Sequence, residues 1–102
     1  MIIHADLDAA TVTLVDPADF RGFHVAVAGG STDDDRLATV LAPHGRLDGE
    51  HAWITTDAVV ALAGATADDE WQAGFDGMVA YARDKGFLDE SGTAIRAHLE
   101  GA

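Results

Sequence analysis

The stretch Thr66-Ala67-Asp68-Asp69-Glu70-Trp71-Gln72-Ala73-Gly74-Phe75-Asp76-Gly77-Met78-Val79-Ala80-Tyr81-Ala82-Arg83-Asp84-Lys85-Gly86-Phe87-Leu88 decides the fold. Trp71, Phe75, Met78, Val79 and Ala82 follow at steps of four, three, one and three, which places them on one face of a helix. Asp68, Asp69 and Glu70 stand where the positive end of the helix dipole favours carboxylates, and Arg83 and Lys85 complement the other end. Thr66 and Asp69 have capping-box spacing, with Asp in place of the usual Glu or Gln. Gly86 followed by Phe87-Leu88 reads as a left-handed cap with its hydrophobic contact. The pattern predicts a helix over about residues 67–85 with one face made for burial. Gly74 and Gly77 each weaken it by about 1 kcal/mol relative to alanine, so both are expected to permit close backbone packing.

The partner for that face lies upstream. Ile3, Ala5 and Leu7 alternate with Ile2, His4 and Asp6, and Val12 and Leu14 alternate with Thr11, Thr13 and Val15, with Asp8-Ala9-Ala10 between them as a turn. Alternation of this kind predicts a β-hairpin. Asp16-Pro17 stops its second strand, and a third strand follows from about Gly22 to Ala28 with Phe23, Val25 and Val27 on one side. Gly29-Gly30 and the run Ser31-Thr32-Asp33-Asp34-Asp35 predict a helix start and a short helix to about Ala42, with a strand over Arg36 to Leu41 as the alternative. Arg46 to Thr55 reads as extended chain broken by the Asp48-Gly49 turn, after which Thr56 caps a short helix closed by Gly64. Downstream of the long helix, Thr93, Ile95, Ala97 and Leu99 alternate with Ala94, Arg96, His98 and Glu100 and predict a final strand.

The 102 residues are the size of one domain, read as residues 1–102 without linker or repeat. The expected fold is α+β: a two-layer sandwich of an antiparallel or mixed sheet of about five strands, with one long and two short helices on one face.

Eighteen acids against six basic residues give a formal charge of −12, so nucleic acid and anionic membrane are expected to be repelled. Solubility is the plain reading of that charge, with a basic protein or a cationic ligand as alternatives. Without cysteine there is no disulfide framework, thiolate metal site or thiol nucleophile. Neither a leader pattern nor a membrane-spanning apolar run is present, and a cytoplasmic location is expected.

Familiar catalytic signatures are absent. Gly29-Gly30-Ser31 lacks the remaining glycine and the lysine of a phosphate loop, and three aspartates follow it at once. Ser31 and Ser91, the only serines, fall in expected turns. What stands out is the placement of histidines. In the expected strands His4, His24 and His98 lie opposite the apolar stripe, with Arg96 and Glu100 beside His98, and His51 shares its side with Trp53. A sheet face free of helices and carrying His4, His24, Trp53, Arg96, His98 and Glu100 is therefore the candidate surface.

Several uses fit it. The face pairs with a second copy, burying Trp53 and matching Arg96 with an acid, in a non-enzymatic accessory domain. Alternatively His24, His98, Arg96 and Glu100 serve a small cofactor-free isomerase, cyclase or lyase, with a histidine moving the proton and Arg96 holding a carboxylate or oxyanion. A third use is a divalent ion held by His98, Glu100, His24 and His4. The plainest is that these are solvated residues of a half-exposed sheet. No cofactor is expected, and the partners considered are a second copy of the chain, a basic protein and a small molecule. A pocket in which His24, His98 and Arg96 converge favours the enzyme, and a flat buried interface favours the accessory role.

Overall fold

The computed structural model describes residues 1–102. Six strands form one mixed sheet: β1 (Ile2–Asp6), β2 (Thr11–Val15), β3 (His24–Ala28), β4 (Gly45–Asp48), β5 (His51–Thr55) and β6 (Ala94–Gly101). Three helices pack on it: α1 (Arg36–Leu41), α2 (Thr56–Ala63) and α3 (Asp69–Asp84). The α+β class is as expected. The sheet has six strands rather than about five because Arg46–Thr55 folds as a true hairpin, β4 pairing with β5.

The strand order is β2-β1-β3-β6-β5-β4. The central pairs β1–β3 and β3–β6 are parallel and the outer pairs antiparallel. Period-two alternation sorts the side chains between the two faces. Ile3, Ala5, Val25, Val27, Ala52, Ile54, Ile95 and Ala97 are buried, while their neighbours His4, His24, His51, Trp53, Arg96 and His98 are half-buried or exposed.

Phe75 and Trp71 of α3 meet that apolar face, their rings stacked at 5.0 Å, and Trp71 Nε1 donates to the Pro17 carbonyl at 2.7 Å. Leu37 and Leu41 of α1 and Val59 of α2 complete one core. Gly74 lies so close to Phe20 that a Cβ there would overlap the ring, whereas Gly77 faces open space and plays no packing role, contrary to the sequence reading.

Helix ends differ from expectation where short polar side chains compete for amides. Asp34 accepts from the Arg36 amide at 2.9 Å, and the Asp34 amide donates to the Ser31 carbonyl at 3.1 Å, so residues 31–35 form turns and α1 begins at Arg36. Thr55, not Thr56, caps α2, accepting from the Ala58 amide at 3.1 Å. Asp68, not Thr66, caps α3, accepting from the Trp71 amide at 2.8 Å. At the other end Gly86 takes φ +78°, and the Phe87 and Gly86 amides return to the Ala82 and Arg83 carbonyls at 2.8 and 3.2 Å. These are the paired bonds of a Schellman cap. They turn the chain so that residues 87–89 leave the helix alongside β6.

Candidate functional site

The geometry of β6 creates the site. One edge of β6 pairs with β3 through residues 98–101. The same edge, further back along the strand, pairs with the chain leaving α3: Leu88 bridges Ile95, and the Arg96 amide donates to the Phe87 carbonyl at 2.8 Å. Two segments thus share one edge, and between them the sheet has a gap. A pocket of about 240 Å³ occupies it, lined by Gly22 and Phe23 leading into β3, by Phe87, and by Ile95, Arg96 and His98 of β6. Met78, Tyr81 and Ala82 of α3 also line it, and Phe20, Arg21 and His51 complete its wall. Its apolar lining comes mainly from the helix side and its polar heads from the histidine-bearing side.

Register explains which polar groups meet. His24, His98 and His51 are lateral partners on β3, β6 and β5, so their side chains form one row on the face that carries no helix. The His98 and His51 rings stand edge to face at 6.5 Å. Glu100, one step along the same face of β6, lies 3.0 Å from His98 Nε2 and 3.3 Å from His24 Nε2, so one carboxylate orients two imidazoles. In the next row Arg46, Trp53 and Arg96 are lateral neighbours. The Arg46 guanidinium lies 5.5 Å from the Trp53 ring centre, and that of Arg96 lies 5.0 Å from Phe87. Contacts of this kind fix a guanidinium plane without using its N–H donors.

The other cations of the region are engaged. Arg21 pairs with Asp19 at 3.2 Å, and these hydrogen bonds to Arg21 hold the Asp19 carboxyl below the usual carboxylate range. Arg46 approaches Asp89 at 3.8 Å. Partial burial pushes the Asp89 carboxyl upward, but the Thr93 and Ala94 amides, the Ser91 hydroxyl and Arg46 outweigh it and hold the carboxyl below its ordinary value. Arg96 makes no ion pair.

Of the residues singled out in the sequence, His98 and Arg96 line the pocket. Glu100 and His24 do not line it, but are joined to His98 through the Glu100 carboxylate. His4 lies apart, half-buried on β1 with Thr13 and Ala26 as its lateral neighbours. Trp53 also lies outside the pocket, its Nε1 donating to Asp48 at 2.9 Å. No group of three His, Asp or Glu residues has the arrangement to hold a metal ion. The Gly29-Gly30 turn is already engaged by neighbouring side chains: Arg36 donates to the Gly29 carbonyl at 2.8 Å and pairs with Asp34 at 3.0 Å.

Sequence reasoning missed Phe20, Phe23, Met78, Tyr81 and Phe87 as walls of a pocket. The available signal was Tyr81, a large ring on the flank of α3 that the structure leaves 60% exposed. Chemically, His98 with its orienting carboxylate suits proton transfer, while no serine, threonine, cysteine or lysine lines the pocket to attack a substrate.

The fold and pocket define a small α+β domain with a gap in its sheet. A scan against protein-family models finds no match, and searches of the curated proteins and of the solved structures find none either.

Proposed function

We propose that this chain is a binding domain for a small organic molecule, held in the gap between β3 and the segment that follows α3. The observation that supports this reading is convergence: the side chains of Met78, Phe23 and Ile95 meet the heads of Arg96, His98 and His51 around one cavity of about 240 Å³. Apolar walls with a few placed polar groups are the usual composition of a ligand site, and this volume lies below the roughly 300–1,000 Å³ of drug-sized sites. A compact ligand is therefore expected. The broader cleft lined by Asp33, Asp34, Asp35 and Glu50 is dominated by acids and has fewer apolar walls.

A mixed set of small neutral, anionic and cationic compounds, screened by protein-observed NMR, tests the proposal. Hits should perturb the Met78 methyl and the Arg96 and His98 amides together. Hits that gather elsewhere, or none at all, would contradict it.

Pairing of the open face with a second copy is the alternative reading, favoured by the absence of a helix over Trp53. Arg46 and Asp48 flank that indole, so a two-fold arrangement would set the cation of one copy against the acid of the other. Trp53 is already half-buried, however, and the large apolar side chains left exposed are Val15 and Tyr81. Little apolar area remains on that face to drive the pairing.

A further inference from the structure

We infer that the ligand of this pocket is a monocarboxylate with a small apolar body, its head group held by Arg96; the inference rests on the binding reading above and names the ligand class. Eighteen of the 102 residues are acidic, yet none lines the pocket. Two arginines and two histidines do. In so acidic a chain, a wall with two guanidinium groups and no carboxylate offers an anion a partner that it does not offer a cation.

Within that wall the roles separate. Arg21 is turned toward Asp19, and its side chain is 92% exposed. The His98 Nε2 is taken by Glu100. Arg96 alone combines a guanidinium placed over the Phe87 ring, 5.0 Å from its centre, with freedom from any carboxylate of the chain. A planar fork of N–H donors with no internal partner matches the two oxygens of a carboxylate. The apolar body would then lie toward Met78 and Ile95, on the core side of the gap.

The test compares three probes of nearly the same shape: phenylacetate, the neutral phenylacetamide and the cationic 2-phenylethylamine, titrated while the Met78 methyl and the Arg96 amide are followed by NMR. Phenylacetate should bind most tightly. Arg96→Gln should weaken it by about tenfold or more, as expected for loss of a charge-assisted pair, while leaving the amide unaffected. Arg96→Lys should recover only part of the loss, because an ammonium cannot form the bidentate pair, and Arg21→Gln should change little. If the amide or the amine bound as tightly as phenylacetate at the same resonances, the carboxylate assignment would be overturned while the pocket reading stood. If none of the three perturbed these resonances, both would fall.

Discussion

Replacing Phe75 with alanine removes the central side chain of the α3 contact. Phe75 is 2% exposed, and its ring stacks on Trp71 at 5.0 Å with an interplanar angle of 16°. It belongs to the one buried cluster that also holds Met78 and Ala82 of its own helix and the short side chains Ala5, Ala52 and Ala97 of the sheet. Truncation of a buried phenylalanine costs about 3–5 kcal/mol, a large share of the roughly 5–15 kcal/mol that holds a domain together. With a urea dependence of about 1–3 kcal/mol per molar, the unfolding midpoint should fall by about 1 M or more. Asp76, the next residue, is exposed and accepts a single hydrogen bond from Gln72 Nε2 at 2.9 Å. Asp76→Ala should therefore cost less than about 0.5 kcal/mol. Urea unfolding of the two variants, followed by tryptophan fluorescence and far-UV circular dichroism, makes the comparison. Equal shifts would refute the assigned helix face and with it the placement of Met78 and Ala82 at the pocket.

The two glycines of α3 should respond in opposite directions. Gly77→Ala, where a Cβ meets nothing, should raise stability by about 1 kcal/mol, and Gly74→Ala, where it would overlap Phe20, should lower it; thermal unfolding that moves both the same way would contradict this packing. Asp89 has its carboxyl pKa held below the usual value of about 3.9, so the stability it contributes is present above that pH and is lost as pH falls through its lower folded value. Asp89→Asn should accordingly destabilise at pH 7, with the gap in urea midpoint shrinking below about pH 4; a gap that stayed constant into acid would show that the carboxylate charge is irrelevant. If the open face pairs, sedimentation at micromolar concentration should give twice 10.6 kDa and Trp53→Glu should return the monomer, whereas a wild-type monomer would end that alternative.

Secondary structure was legible because periodicity is a local property. The steps from Trp71 to Ala82 and the alternation around Ile3, Val25 and Ile95 each need only neighbouring residues, and the burial of these positions follows that pattern. Caps were harder to place. Thr55 against Thr56, or Thr66 against Asp68, differ by a residue or two, and the choice depends on which side chain meets a free amide. The histidine-bearing face was legible from alternation as well. What could not be read was that His24, His98 and His51 fall in one row, since that depends on strand order and register. The pocket lay further out of reach, because it arises where β3 and residues 87–88 share an edge of β6 without meeting, and no local pattern records a gap.

We propose that Arg96 and His98 on the sheet and Met78 on α3 line one small-molecule site. Intermolecular nuclear Overhauser effects in a phenylacetate complex test it most directly. Contacts are expected from the phenyl protons to the Met78 and Ile95 methyl groups, with the methylene protons nearer Arg96. Contacts instead to Ala38, Leu47 and Leu99, in the acid-rimmed cleft beside α1, would contradict it.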